Sequence, residues 1–565
     1  MSSTKTIQSR LHALRSNLEE IMKTGSTPGA AIAVIHEGEV IYQENLGYRD
    51  LDNKLPVTAE TIFPCASLTK AVVAAGLGIC VEEEMGDLKW DSKVHDVLPE
   101  WTSADEILRK EMTVTNCLSH RAGMEAPDHW LGTNNNILIP QEKSIDFLNS
   151  LQRPFPFRAS YGYNNCGYDI AGHILTKAAS QRWDTFLKTR IFDPLNMTHT
   201  STHAAAPSDP NFATGYWDLD ANPSNPAKIV PVTCSGETFM GAAAAMHSCT
   251  ADLVKLYKVF LDSAADQYAN SSTSTSSSPL KQIPTLFSPQ INMNPKLLRE
   301  QSYALGWARL QTPGPMDQLR PQENRPDVGK GVPSELVLYH QGSFPGALAF
   351  VALIPRLKGC VLVLTNGLSM SVNPADLMGQ ALLEGYLGVA EDEKNDYVEL
   401  ARMEKEEKDE SWFKDIRTWL DESRTGGDCP RELEDYVGDY WDEAKTLMVR
   451  VFIDENEGRS DETQQRRKLK VAFAGRESEE HDLTHYQNDE FTWLKERDEF
   501  SKRGLWARHK ENYVIGFWEG ERPEKEAEEK DIKVGGETSR VNKIEYLTWW
   551  YNKELPRPKR FYKEM

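Results

Sequence analysis

The chain has 565 residues, which is too long for one compact core, so two or three domains are expected. Its formal net charge of -21 excludes nucleic acid and anionic membrane as partners, because both would repel it. The eight cysteines show no C-x-x-C spacing, and no apolar run has the length of a membrane span or a signal core. We therefore predict free thiols and a cytoplasmic protein without a secretory leader.

The first elements are a helix, a hairpin and a second, buried helix. The stretch from Thr6 to Met22 is amphipathic, and apolar runs on either side of Glu37-Gly38 predict two strands joined by a short turn, with His36 at the tip. Ser67 and Lys70 open an almost uninterrupted apolar run from Ala71 to Val81. Such a run suits a helix that is buried on all sides.

The middle of the chain is predicted to be largely helical. A short helix over Thr113 to Met124 ends in a tight turn at Gly123, and the polar stretch from Tyr161 opens an apolar helix that reaches Ala178. A small-residue run, Gly241 to Met246, precedes another helix. Small side chains of this kind let two backbones approach closely.

Three apolar strands and a helix follow. The strands are Glu335 to Tyr339, Ala347 to Ile354 and Cys360 to Thr365, with a turn predicted from His340 to Gly346, and the helix covers Pro374 to Leu387. This order predicts an α+β fold, in which an antiparallel sheet has its first and last strands adjacent and is flanked by helices with a helical subdomain.

The composition changes twice in the last third of the chain. Residues 391–427 are helical and heavily charged, which suits a solvated linker helix, and residues 428–565 carry short aromatic runs between polar turns. We predict three units: a catalytic domain over 1–390, the linker over 391–427 and a small antiparallel β-barrel over 428–565. The expected barrel strands are Tyr436 to Trp441, Thr446 to Ile453, Leu469 to Phe473, Leu483 to Tyr486, Phe491 to Leu494, Leu505 to Ala507, Tyr513 to Trp518 and Ile544 to Trp550.

Three short patterns could carry chemistry: Ser67-x-x-Lys70, Tyr163-x-Asn165 and His340-x-Gly342. In a helix, an i, i+3 spacing brings a serine beside an amine, and an amine in apolar surroundings can lose its proton and act as base. Each pattern also occurs elsewhere, and its order and setting single out this set. The other occurrences are Ser2 to Lys5, Ser278 to Lys281, Tyr268 to Asn270, Tyr486 to Asn488 and His36 to Gly38.

With these ordered patterns the chain resembles the serine β-lactamase-like family, which includes class C β-lactamases, D-aminopeptidases, DD-peptidases and related esterases. The resemblance covers roughly the first two thirds of the chain. The C-terminal part resembles the lipocalin-like barrels of the D-aminopeptidase group. Four further stretches support the resemblance: Pro28 to Ala31, Leu118 to Met124, Tyr163 to Gly172 and Tyr303 to Trp307.

The resemblance implies a covalent acyl-enzyme mechanism. Ser67 would attack a carbonyl carbon, Lys70 would take the serine proton, and Tyr163 would protonate the leaving group. Asn165 would orient Lys70 or a substrate amide, and the backbone amides of Ser67 and Ser343 would form the oxyanion hole.

One departure from the family concerns substrate binding. The family often has Lys-Thr-Gly where this chain has His340-Gln341-Gly342, which favours the esterase and aminopeptidase side of the family. His340, Gly342 and Ser343 are the substrate-binding candidates on this strand. Two other interpretations stay open: Tyr163 could be plain packing, and His340 a hydrogen-bonding residue at a strand end.

The predicted function is hydrolysis of an ester or amide of a small molecule or short peptide, without a metal or cofactor, in a protein that could form oligomers. Two alternatives remain at this point. One is acyl transfer through the same acyl-Ser67 intermediate, and the other is an inactive binding protein that kept the fold. In an inactive binding protein, Ser67 would be only a helix cap and Lys70 only a surface lysine.

Overall fold

The computed structural model describes residues 3–204, 209–220, 225–316, 325–455, 467–505, 508–520 and 543–564, without the side chains of 408–411. Among these residues no helix combines the length and the apolar character that crossing a membrane would need. The α-helices are α1 Thr4–Ala13, α2 Arg15–Thr24, α3 Thr69–Glu82, α4 Val94–Val97, α5 Glu106–Glu111, α6 Val114–Leu118, α7 Ser144–Asn149, α8 Asn165–Ala179, α9 Trp183–Leu187, α10 Gly241–Ala244, α11 Thr250–Ala269, α12 Ile283–Phe287, α13 Pro374–Leu387, α14 Tyr397–Glu422, α15 Leu433–Tyr436 and α16 Arg497–Lys502. The strands are β1 Gly29–His36, β2 Glu39–Asp50, β3 Leu55–Pro56, β4 Phe63–Pro64, β5 Gly215–Trp217, β6 Ala227–Ile229, β7 His247–Ser248, β8 Ile291–Asn292, β9 Gln301–Tyr303, β10 Ala308–Gln311, β11 Gly314–Pro315, β12 Asp327–Val328, β13 Leu336–Phe344, β14 Ala347–Ile354, β15 Gly359–Thr365, β16 Gly367–Leu368, β17 Gly438–Asp442, β18 Met448–Asp454, β19 Lys468–Phe473, β20 Glu480–Gln487, β21 Glu490–Thr492, β22 Val514–Trp518, β23 Tyr546–Trp549 and β24 Lys559–Lys563.

The first unit is built on a nine-stranded antiparallel sheet in the order β3-β2-β1-β15-β14-β13-β10-β9-β8. Strand β1 pairs with β15, so the first and last long strands of the unit lie side by side. This confirms the predicted α+β fold class. The predicted first helix differs, because it is divided at Leu14 into α1 and α2.

Both faces of the sheet are buried at its central strands β1, β14 and β15. On β1, Ile32 and Val34 face a core formed with α1, α2 and α13, while Ala31 and Ile35 face the core that contains α3 and α11. A strand that is covered on both faces needs apolar residues at nearly every position. The continuous apolar run of β1 follows from this double cover.

Strand β13 is longer than predicted. The expected turn from His340 to Gly346 was wrong, because His340, Gly342 and Phe344 all pair with β14 and only a tight turn at Pro345 and Gly346 remains. Gly346 has a φ of +84°, which favours glycine. Glycine and serine within the strand gave the sequence a turn-like appearance, although the long partner strand keeps the pairing regular.

The C-terminal unit is a closed barrel of β17 to β24, in which β24 pairs with β17. Seven of the eight predicted strands correspond to strands of this barrel. The expected strand Leu505 to Ala507 was wrong at Leu505, which lies in a loop, and positions 506–507 lie outside the described residues. The closing strand β24 was missed because its sequence is polar apart from Phe561 and Tyr562, and only Phe561 is buried.

The charged helix α14 joins the two units and is less solvated than predicted. Near its start, Tyr397 and Ala401 are buried in the core of the first unit. Near its end, Phe413 and Leu420 are buried, and the ring of Phe413 lies 5.5 Å from that of Phe500. An apolar stripe therefore anchors this helix at both ends.

Candidate active site

Ser67 lies in a 3₁₀ turn, Ala66–Leu68, that runs directly into α3. The preceding residue, Ala66, has a φ of +47°, a left-handed conformation that is strained for alanine. The backbone N–H of Cys65 donates to the carbonyl of Met246 at 2.8 Å and fixes the entry to the turn. The turn and the first turn of α3 bring Ser67 and Lys70 to one face.

Lys70 is completely buried and has three partners. Its Nζ lies 2.8 Å from Ser67 Oγ, 2.8 Å from Asn165 Oδ1 and 2.9 Å from the carbonyl oxygen of Ala243. Burial lowers the pKa of Lys70 well below its usual value, and Cys234 and Asp128 oppose that shift only in part. In the neutral form that burial favours, the amine has two N–H bonds and one lone pair. If the two carbonyl oxygens accept the N–H bonds, the lone pair is directed at the Ser67 hydroxyl.

Tyr163 completes the immediate surroundings of the nucleophile. Its phenol OH lies 2.8 Å from Ser67 Oγ, and its ring centroid is 5.0 Å from Lys70 Nζ. Burial raises the pKa of Tyr163, so the phenol keeps its proton. Burial thus favours a neutral amine at Lys70 and a protonated phenol at Tyr163, on either side of one serine oxygen.

The Tyr-x-Asn spacing follows from the cap of α8. Asn164 is the N-cap, and its Oδ1 accepts from the backbone N–H of Cys166 at 2.8 Å. Tyr163 lies just outside the helix, and Asn165 is its first residue. The Tyr163 side chain therefore reaches Ser67, and the Asn165 side chain reaches Lys70.

Strand β13 forms the wall opposite α8. At Gly342, a Cβ atom would lie 2.3 Å from the carbonyl oxygen of Cys65, so only glycine lets the strand pass the turn that carries Ser67. Ser343 follows and pairs with Leu348 of β14. The oxyanion hole formed by the amides of Ser67 and Ser343 stays a prediction.

His340 is held by two hydrogen bonds within the protein. It is fully buried; its Nδ1 donates to the carbonyl of Gln341 at 2.7 Å, and its Nε2 accepts from the Tyr303 hydroxyl at 3.0 Å. Burial, with a smaller effect of Lys70, lowers the pKa of His340 to about 3, so the ring is neutral. Both ring nitrogens of His340 therefore have partners within the protein, and the contact of His340 with substrate stays a prediction.

Sequence reasoning missed two groups at the site. The carbonyl of Ala243 accepts from Lys70, and its only sequence signal was the small-residue run in which it lies. His120 packs against Tyr163, and it lies in a stretch that supported the family resemblance without a role for the residue. In the parts of the chain that the structure describes, no group of three or more His, Cys, Asp or Glu residues could hold a metal ion.

Comparison with known proteins gives a consistent result. The family model named Beta-lactamase matches residues 14–383. Unguisins hydrolase ungD of Aspergillus violaceofuscus is 27% identical over 444 residues, which cover 75% of this chain and 73% of that protein. Penicillin-binding protein 4* of Bacillus subtilis is 30% identical over 173 residues, which cover 29% of this chain and 36% of that protein.

A solved structure shares the fold over most of the chain. The octameric penicillin-binding protein homologue from Pyrococcus abyssi superposes with a TM-score of 0.52 at 21% identity. The match covers 86% of this chain and 98% of that one. The shared fold therefore extends beyond the region of the family model.

Proposed function

Because the chain belongs to the β-lactamase family, we propose that it is a serine hydrolase that cleaves an ester or amide through an acyl-enzyme on Ser67. The observation that carries the proposal is the position of Ser67 Oγ, 2.8 Å from both Lys70 Nζ and the Tyr163 hydroxyl. A nucleophile, a base and an acid thus meet at one atom.

The proposed acylation uses the neutral state of Lys70. The Ser67 hydroxyl gives its proton to Lys70 Nζ while Oγ bonds to the carbonyl carbon, and the negative charge develops on the substrate oxygen. When the tetrahedral intermediate collapses, Tyr163 protonates the leaving group and regains a proton from the lysine. Water then attacks the acyl carbon, releases the acid and restores the Ser67 hydroxyl.

The substrate is proposed to be a small molecule or a short peptide. Two features favour an ester or amide without a carboxylate next to the scissile bond. His340 is neutral and both its ring nitrogens have protein partners, and the proposed mechanism uses Lys70 in its uncharged form. Neither residue offers a fixed cation to a substrate carboxylate. The name of the Aspergillus relative, an unguisins hydrolase, also favours hydrolysis.

Labelling with a fluorophosphonate, followed by mass spectrometry of the adduct, tests the nucleophile. We expect one adduct on Ser67, none in Ser67→Ala, and normal labelling in Ser278→Ala. Ser278 is a matched control because it heads a second Ser-x-x-Lys pattern, but Lys281 Nζ donates to the Thr275 carbonyl at 3.2 Å instead. In the third pattern, Ser2 lies outside the described residues.

Labelling and an analysis of the products together separate hydrolysis from its alternatives. A folded protein that is never labelled at Ser67 would be a binding protein of this fold. Acyl transfer would appear as diversion of the acyl group from water to an added alcohol or amine. Proportions of acid and transfer product, measured over a range of nucleophile concentrations, decide between the two reactions.

A further inference from the structure

His120 lies in the turn after α6 and is buried against the ring of Tyr163. We infer that His120 is a positioning residue for the acylation site, which holds the Tyr163 hydroxyl at Ser67 by binding the backbone on both sides of Tyr163. The inference rests on the proposed role of Tyr163 as proton donor. Among its described contacts, His120 does not touch Ser67 itself.

Two hydrogen bonds bracket Tyr163. The backbone N–H of Gly162 donates to the carbonyl of His120 at 2.9 Å, and the backbone N–H of Asn164 donates to His120 Nδ1 at 3.0 Å. One residue therefore binds the backbone immediately before and immediately after Tyr163. Motion of this segment along the site would break at least one of these bonds.

The imidazole ring also limits the orientation of the Tyr163 side chain. The two ring centroids are 4.3 Å apart, with an interplanar angle of 39°. On its other sides, His120 packs against Tyr303 at 4.5 Å and Tyr168 at 5.4 Å. The ring is thus wedged among aromatic side chains, which fixes it in one rotamer.

The hydrogen bond from Asn164 determines the protonation state of His120. Because Nδ1 accepts, the ring proton is on Nε2, and a charged imidazolium would lose this acceptor. Burial lowers the pKa of His120 well below its usual value, and the nearby Lys70 adds to the shift. Burial therefore favours the neutral ring that the hydrogen bond from the Asn164 N–H needs.

The left-handed backbone of His120 guides the choice of variants, because its φ is +56°. His120→Asn tolerates this conformation and places Oδ1 where Nδ1 was, so it keeps the bond to Asn164 without the ring. His120→Ala removes both the acceptor and the ring. His36→Asn is a matched control, since His36 is buried as well but bonds to Tyr386.

Kinetics of these variants test the inference. We expect His120→Ala to lower kcat by roughly 10²-fold, the scale of a 1 Å misplacement, with little change in KM. His120→Asn should recover most of the loss, and His36→Asn should match the parent. Stoichiometric but slow fluorophosphonate labelling of His120→Ala would show that the protein is folded. If the loss of kcat in His120→Ala equals the fraction of protein that is not labelled, misfolding explains the loss and the inference is overturned.

A double-mutant cycle with Tyr163→Phe separates this inference from the proposed function. Because His120 acts through the tyrosine hydroxyl, adding His120→Ala to Tyr163→Phe should lower kcat by less than about threefold. If the loss of kcat in the double variant equals the product of the losses in the two single variants, the inference is overturned. If Tyr163→Phe alone retained normal turnover, the proposed role of Tyr163 would fail, and the inference with it.

Discussion

Glu479 of the barrel is completely buried against a loop of the first unit. Its carboxylate accepts from the Thr133 backbone N–H at 2.9 Å, the Thr133 hydroxyl at 2.7 Å and Asn136 Nδ2 at 2.7 Å. Every one of these donors belongs to the loop over residues 124–136. Glu479→Ala would leave all three donors without this acceptor in a buried contact.

The cost of this change can be estimated from the contacts. A buried hydrogen bond to a charged group contributes about 1.5–3 kcal/mol, but such contributions are not additive within one network. Burial raises the pKa of Glu479, so part of the gain from the three donors offsets the desolvation of the carboxylate. We therefore expect Glu479→Ala to lower the free energy of unfolding by about 3 kcal/mol.

The same loop also contacts the site, so activity should fall with stability. Asn164 Nδ2 donates to the carbonyls of Met124 and Glu125, each at 2.8 Å, directly beside Tyr163. Urea unfolding followed by tryptophan fluorescence gives the stability change, and kcat/KM gives the effect on the site. Glu477→Ala is the control, because Glu477 is exposed two residues earlier. Equal stability and activity in the two variants would refute the reasoning.

Three further predictions concern the site itself. Burial lowers the pKa of Lys70 from 10.5, so kcat/KM should be retained at pH values well below 10.5 and be lost only as the pH falls through the lowered pKa. A pH–rate profile in which kcat/KM already falls near pH 10.5 would contradict the neutral amine. Gly342→Ala should abolish labelling of the nucleophile and destabilise the protein by about 1–3 kcal/mol, because the added Cβ would meet the carbonyl of Cys65. Gly162→Ala is the control: a Cβ at Gly162 would have no atom within 4 Å, so this variant should label normally. Tyr163→Phe should lower kcat by roughly 10²–10⁴-fold while the unfolding curve stays in place, and normal turnover would exclude its role as acid.

The parts of the site that were predictable from the sequence have local causes. The i, i+3 spacing of Ser67 and Lys70 is a property of the helix start, and the Tyr163-x-Asn165 spacing reflects a helix cap between the two residues. The apolar run of β1 likewise indicates that both faces of the strand are covered. Patterns of this kind depend only on neighbours in the chain.

The parts that could not be predicted depend on distant contacts. The carbonyl of Ala243 reaches Lys70 because α10 packs against α3, and no side-chain pattern marks a backbone oxygen as a ligand. The sequence placed His340 at the end of a strand, but the pairing of β13 with β14 continues past it, and the residue is buried. The position of His120 beside Tyr163 depends on two segments about 40 residues apart, which no local pattern relates.

Asn164 explains why the barrel and the nucleophile are parts of one structure. Its Oδ1 caps α8, its Nδ2 binds the loop that Glu479 holds, and its backbone N–H donates to His120. The residues on either side of it are Tyr163 and Asn165, which contact Ser67 and Lys70 respectively. Because all the hydrogen-bonding groups of the Asn164 side chain are engaged, the two neighbours have little freedom to move separately. A path of contacts therefore leads from Glu479 of the barrel through residues 124–136 and Asn164 to the segment that carries Tyr163.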